Sequence, residues 1–333
     1  MKISVIVPVR NEEESIRALL DGLVGQTRRP DEIVITDGGS TDRTIKIIEE
    51  YVERGAPIHL IREEMALPGR GRNLAAEHAS SEWLAFTDAG IRPAAEWLAA
   101  LAERIEQEPA ADMVYGSWEP VTDSFFKECA AIAYLPPPGR LDGNLMRSDF
   151  IASAMMRRSV WQAVGGFPEH LRSAEDILFM AKVKAGAYRT VFAPQALVRW
   201  EIQPNLRRTF KRFASYSRHN LKAGLWRQWQ ANIFKYYAVV PVFALPGLAV
   251  SGRWWLGLTG ALWLLMLTAR SVVALRRNRT SYPAGVGRNG LRLLLLVPLL
   301  ATIDAATFIG SITWLTRDKL HPRSRSVGNK DVA

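Results

Sequence analysis

The chain has 333 residues, with 43 Lys and Arg against 33 Asp and Glu, a net charge of +10 and one cysteine. A lone cysteine excludes an internal disulfide and any cysteine-based metal cluster. From Arg207 onward 20 basic residues face three acids (Asp304, Asp318 and Asp331), a net +17, so residues 1–206 carry −7. The basic excess is interleaved with long apolar runs rather than laid on a soluble face, which argues against nucleic acid and for a membrane contact.

In chain order, residues 3–9 (ISVIVPV) read as a buried strand, ending at Arg10, Asn11 and Glu12. An amphipathic helix carrying Ile16, Leu19, Leu20 and Leu23 follows. The opening run stops at Pro8 and lacks a small-residue cleavage site, so it does not read as a secretory signal. Residues 33–35 read as a second strand and 45–51 as a helix, with DGGSTD at 37–42 between them. At the carboxyl end of a strand in an open α/β sheet, glycines let the backbone approach a ligand. A carboxylate there accepts hydrogen bonds from a base or a sugar hydroxyl. The simpler alternative has Ser40 or Thr41 capping the helix, with Gly38 and Gly39 shaping a turn. Residues 83–90 (WLAFTDAG) repeat the strand-then-acid pattern at Asp88. Three successive strand ends thus present Glu12, Asp37 and Asp88, which together suggest one polar floor.

This ordered set resembles the family 2 glycosyltransferases. The matching residues are VIVPVRNEEESI at 5–16, DGGSTD at 37–42, Gly71, Arg72 and Asn73, and the Asp88, Ala89, Gly90 triplet. GGFPE at 165–169 and Glu175 with Asp176 complete the series. The resemblance spans residues 1–220. It implies an α/β fold of the GT-A type, a Rossmann-like mixed sheet for nucleotide-diphospho-sugars, followed by a C-terminal helical membrane module. It implies an inverting, hexosyltransferase-type enzyme of the membrane-anchored bacterial kind. Pro8, Asn11, Glu12, Asp37 and Gly39 are expected to border the base and ribose of the donor. Arg72, leading into a helix over 73–78, is expected near the nucleotide. Asp88 opens the family's Asp-x-Asp element, which touches ribose and a divalent metal. Asp176, beside Glu175, matches the catalytic base that takes the proton from an acceptor hydroxyl. A sugar hydroxyl is a poor nucleophile, so a positioned base and a stabilised leaving group are the two chemical needs. As an alternative, Glu175 and Asp176 are simply an acid pair at a helix N-terminus.

Two departures from the family pattern bear on cofactors. The metal-binding acid of Asp-x-Asp is replaced by Gly90, and a histidine expected some way past the base is missing where the chain reads VRWE at 198–201. A Mg²⁺ or Mn²⁺ ion is therefore expected to be weakly held, by Asp88 with Glu201, or replaced. Arg208 and Arg212, in the basic run 207–212, are the candidates to balance a diphosphate or face the acceptor. The same run also reads as a membrane-surface charge patch.

Three apolar segments follow, at 234–251, 254–275 and 291–315. A bilayer-spanning helix needs about 20 apolar residues. The first segment holds Pro241 and Pro246, the second Arg270, expected to snorkel, and the third Pro298 and Asp304. The basic loop between the second and third favours the cytosolic side. The third either spans, placing the tail outside, or re-enters and returns. The expected division is a glycosyltransferase domain over 1–220 (a nucleotide half at 1–110 and an acceptor half at 111–220), a membrane-associated region over 221–316 and a basic tail over 317–333. The Pro-rich run 136–139 is expected as a rigid loop between the donor-binding and acceptor halves, and 140–148 as a surface loop, the alternative being a loop that folds over substrate. The expected site is the inner (cytoplasmic) membrane, with the catalytic domain facing the cytosol. The expected partners are a nucleotide-sugar donor and a lipid-linked or envelope-glycan acceptor. Two alternatives are a polyprenyl-phosphate glycosyltransferase, whose acceptor is already ionised, and a non-catalytic scaffold of the same fold. Cys129 is expected to be a small core residue.

Overall fold

The computed structural model describes residues 1–141, 144–147, 150–238 and 254–320. Two compact units emerge: Met1–Pro204 together with Val273–Arg292, and the described residues of Asn205–Val272 together with those from Leu293 on.

In the first unit an eight-stranded mixed sheet is built from β1 (Ile3–Val9), β2 (Glu32–Asp37), β3 (Ile58–Arg62), β4 (Trp83–Phe86), β5 (Ile91–Pro93), β6 (Met113–Val121), β9 (Ala154–Arg157) and β10 (Thr190–Glu201). Its order is β3-β2-β1-β4-β9-β6-β10-β5. The first four strands in that order run parallel, with Val7 beside Ile35 and Ile6 beside Phe86. β9 lies antiparallel between β4 and β6. Parallel strands need covered faces, and β2 and β4 are buried along their whole length. The crossovers are α1 (Ile16–Val24), α2 (Thr44–Glu53) and α3 (Pro68–His78), and α4 (Trp97–Gln107) links β5 to β6. The strands at 3–9, 33–35 and 83–86 and the first two helices thus fall where the hydrophobic pattern puts them. The third helix differs. It starts at Pro68, five residues before the expected start, because proline suits the first helical position. Gly71, Arg72 and Asn73 are therefore helical.

After β6, α5 (Phe125–Tyr134) carries Cys129, fully buried, its thiol pushed up to about 11 by burial and by the neighbouring Glu128 charge. It is a core residue. The backbone of β7 (Gly139–Leu141) and β8 (Asn144–Met146) pairs as a short antiparallel hairpin within the loop expected at 140–148, whose remaining residues lie partly outside the described ones. A 3-10 turn, β9, α6 (Arg158–Ala163), α7 (Glu175–Ala185) and β10 complete the sheet unit. Its core gathers Ile6, Val34, Phe86, Tyr115, Phe167 and Phe179 between sheet and helices. Phe167 stacks on Phe179 with ring centroids 3.9 Å apart.

The second unit contains α8 (Leu206–Lys222) and most of two long helices, α9 (Trp254–Arg277) and α10 (Val286–Thr313). The last six residues, Trp314–Lys319, continue α10 with wider turns. Among the described residues, Gly257–Arg277 and Val286–Lys319 are long and apolar enough to cross a membrane. The segment expected at 234–251 lies mostly outside the described residues. Arg270 does not snorkel. It donates to both Asp304 oxygens, at 2.5 and 3.0 Å, and Tyr237 donates to the same carboxylate at 3.0 Å. The acid that looked costly inside an apolar helix is thereby matched by a cation.

Candidate functional site

The parallel order β2-β1-β4 sets Asp37, Glu12 and Asp88 at the carboxyl ends of three neighbouring strands. At the first two ends the loops lace together. Asn11 sits at φ +55, donates its N–H to Ser40 Oγ (2.8 Å) and accepts from the Thr41 N–H through Oδ1 (2.8 Å). Asp37 is 1 % exposed and accepts from the N–H groups of Gly39 and Ser40, both at 2.9 Å, and from Ser40 Oγ. A carboxylate has about four acceptor positions, so Asp37 keeps capacity beyond its own turn. Glu12 accepts from Ser15 Oγ at 2.5 Å, and its N–H donates to Thr44 Oγ1 at 2.7 Å. Pro8 lies beneath α3, where a Cβ on Gly71 would come within 3.1 Å of the proline ring. Neither Ser40 nor Thr41 makes a side-chain cap to α2. Their bonds go to Asp37 and Asn11, so they lace the two loops together rather than cap the helix.

α3 then joins this floor to a distant segment. Asn73 donates to the Phe167 carbonyl and to Glu169, both at 2.9 Å. Its Oδ1 accepts from the Phe167 N–H at 2.8 Å and from Trp161 at 3.2 Å. A Cβ on Gly69 would strike the Pro168 carbonyl oxygen at 2.2 Å, so glycine is required where the two backbones touch. The GRN and GGFPE motifs are two halves of one joint.

That joint aims Arg72. The side chain is 4 % exposed, one amino group donates to Asp88 at 2.6 Å and the other to Glu175 at 2.7 Å. Its guanidinium also lies over the Phe167 ring, 5.3 Å from the centroid. Burial alone would lower its pKa, but Asp88 and Glu175 overcome that and hold it above the ordinary arginine range. Both amino groups are engaged by carboxylates, so Arg72 serves as a strut between strand β4 and helix α7. The sequence, in which resemblance puts Arg72 near the nucleotide, carries no signal for its pairing with Glu175, 103 positions away.

α7 begins at Glu175 and Asp176, preceded by Ala174 at φ +71. A left-handed alanine stores of order 1 kcal/mol, a strain that clusters at functional positions. Glu175 is 4 % exposed and its Oε2 is buried without a hydrogen-bond partner among the described residues. Asp176 is pushed up to about 6, first by burial and then by the adjacent Glu175 charge, with Arg72 pulling the other way. A half-buried carboxylate near pKa 6 is suited to accept a proton at neutral pH.

The remaining expected residues fall elsewhere. Glu201, at the end of β10, is paired through its two oxygens with Arg92 (2.7 Å) and Lys127 (2.9 Å). Its N–H meets the Gly90 carbonyl at 3.4 Å, so the chain does bring it beside the position of the missing acid. Asp88 is matched by Arg72. Among the described residues no group of three or more His, Cys, Asp and Glu is close enough to hold a metal ion. Two carboxylates already matched by cations do not fit a resident divalent ion, which wants several free oxygen ligands. Arg208 and Arg212 belong to the second unit. The Arg208 N–H donates to the Asn205 side chain that caps α8, and Arg212 donates to Tyr216 at 2.7 Å.

Comparison with known proteins bears on the fold and the family. The model of Glycosyl transferase family 2 matches residues 4–164. The chain is 31% identical over 196 residues to the poly(ribitol-phosphate) beta-N-acetylglucosaminyltransferase TarS of Staphylococcus aureus, covering 57% of this chain and 33% of that protein. It is 27% identical over 231 residues to the O-antigen chain rhamnosyltransferase RfbN of Salmonella typhimurium, covering 64% of this chain and 70% of the relative. It spans about a third of the length of the poly(ribitol-phosphate) transferases it matches. In fold it is similar to the mannosyltransferase PcManGT of Pyrobaculum calidifontis, solved with GDP-Man and Mn²⁺, with a TM-score of 0.56, 21% identity, and coverage of 96% of this chain and 88% of that one. The mixed sheet is of the GT-A kind, and residues 4–164 match the model of glycosyl transferase family 2.

Proposed function

We propose that the chain is an inverting glycosyltransferase that moves a sugar from a nucleotide-diphosphate donor to a hydroxyl of a cell-envelope or lipid-linked glycan. The observation that carries this reading is the cluster of Asp88, Glu175 and Asp176 around Arg72, beside the Asn11–Asp37–Ser40 loop on a family 2 sheet. Pro8, Asn11, Glu12, Asp37 and Gly39 border the base and ribose, and Asp88 faces the ribose. Asp176 takes the acceptor proton as the acceptor oxygen bonds to the anomeric carbon. The bond from that carbon to the phosphate oxygen breaks, the electron pair leaves with the nucleoside diphosphate, and the configuration inverts. Glu175 Oε2, buried and unpartnered, is available to orient the incoming hydroxyl. Arg72 acts through Asp88 and Glu175 by positioning them. Arg208 and Arg212 are assigned to the diphosphate or acceptor side. The names of TarS and RfbN, one acting on a ribitol-phosphate polymer and one on O-antigen, agree with an envelope acceptor.

The reading includes a catalytic domain over 1–220 that faces the cytosol, a membrane-associated region over 221–316 at the inner membrane, and a basic tail. Its support is the pair of apolar helices and the basic loop between them. The test is release of nucleoside diphosphate by the purified chain in detergent, across a panel of nucleotide sugars with and without EDTA. Turnover of one donor supports the reading and identifies the sugar. Failure to bind or turn over any donor rejects it.

A further inference from the structure

Both ends of the 34-residue helix Val286–Lys319 are held by charged partners. Near its start, within the first unit, Arg292 is 4 % exposed and donates through Nε to Glu128 at 2.7 Å, and Arg288 pairs with the same carboxylate. Near its end, within the second unit, Asp318 receives Arg218 of α8 at 2.7 and 2.8 Å and Lys222 at 2.9 Å. Between these, α8 grips the helix closely. Ser217 Oγ donates to the Thr307 carbonyl at 2.7 Å, and a Cβ on Gly310 would strike the Ala214 carbonyl oxygen at 2.3 Å.

The chain from residue 1 to residue 222 holds no apolar run long enough to cross a bilayer. Glu128 and α8 therefore lie on one side of any membrane this protein meets. α8 cannot itself enter hydrocarbon, because Arg207, Arg208 and Lys211 stand exposed on its first two turns. From Arg292 to Asp318 the helix rises about 39 Å, more than the roughly 30 Å hydrocarbon layer. Length alone would thus allow a span. Yet a continuous helix with both ends tied to one side does not cross.

We propose that Val286–Lys319 is an interfacial helix lying along one face of a phospholipid membrane, with α8 beside it. This rests on the membrane reading above and goes beyond it, since length and hydropathy alone leave a span open. The occupant of this surface is the headgroup layer. Leu294, Ile309, Ile312 and Leu315 are exposed and apolar for the acyl boundary, and Arg207 and Lys211 of α8 suit lipid phosphates. α9, whose apolar window is only 11% buried, is the element left to dip inward, with Leu258, Leu262, Leu264 and Leu265 exposed.

The test uses the full chain in right-side-out and inside-out bacterial membrane vesicles. Single cysteines replace Arg54 on α2's end, Thr280 in the loop and Lys319 at the helix end, all exposed positions, and are labelled with a membrane-impermeant maleimide. Cys129, fully buried, supplies the unlabelled background. Labelling of all three from the same side supports the inference. Labelling of Lys319→Cys only from the side opposite Arg54→Cys and Thr280→Cys overturns it and leaves the membrane reading standing. Absence of the chain from floated membranes overturns both.

Discussion

Arg72 lies 2.7 Å from Glu175 across 103 residues of chain, and its other amino group lies 2.6 Å from Asp88. One guanidinium thus fixes the spacing between the carboxylate expected at the donor and the pair expected at the acceptor. Removing one partner of a buried pair leaves charge uncompensated, at about 3–5 kcal/mol. Arg72→Met should therefore lower the thermal midpoint sharply in a melting experiment, and any residual activity should show its acid limb at higher pH, because Arg72 holds Asp176 down. Arg72→Lys, with a point charge in place of a fork, should satisfy one carboxylate and fall between.

A pH profile reports Asp176 directly. As a base it must be ionised, so turnover should rise through about pH 6 and level off above it. Stability moves the other way. The folded value lies above the ordinary 3.8, so this group favours folding fully only below that ordinary value and the contribution is lost as pH rises through about 6. Asp176→Asn should then unfold at or above the wild-type temperature at pH 7.5, by at most about 3 kcal/mol. A variant that loses activity while melting lower would count against this assignment.

Asn73 makes four hydrogen bonds that join α3 to the loop before α7. At about 0.5–1.5 kcal/mol each, Asn73→Ala should cost about 2–6 kcal/mol in denaturant unfolding. Asn73→Asp, which keeps the acceptor but loses both donors, should recover only part of it.

Gly90 sits at φ +79, and a Cβ there would meet nothing within 4 Å. The backbone conformation is one that aspartate tolerates better than most residues. Gly90→Asp should thus be accommodated and place a second acid beside Asp88. Calorimetric donor binding should become stronger with Mn²⁺ and sensitive to EDTA in this variant, more so than in the parent.

The strands, the first two helices and the strand-end acids were legible because apolar runs and turn residues act locally. The start of α3 lies five residues before the expected one because Pro68 opens the helix, and Gly69 and Gly71 are helical positions pressed by Pro168 and Pro8. Arg72 stood out in its motif, but its partners did not, since nothing in a sequence couples positions 72 and 175. Glu201 was brought beside Gly90 by strand pairing, yet Arg92 and Lys127 occupy it. In the C-terminal helices the pattern left span and re-entry open for the third segment. Hydropathy cannot register Arg270 meeting Asp304, or α8 lying against Gly310.

The most direct test of the central claim compares Asp176→Asn with the parent chain for donor binding and for sugar transfer to a hydroxyl acceptor. Nucleotide-sugar affinity should be unchanged and turnover should fall by about 10²–10⁴, the range for a removed general base. Turnover at the parent rate, with the proton leaving unaided, would contradict that claim.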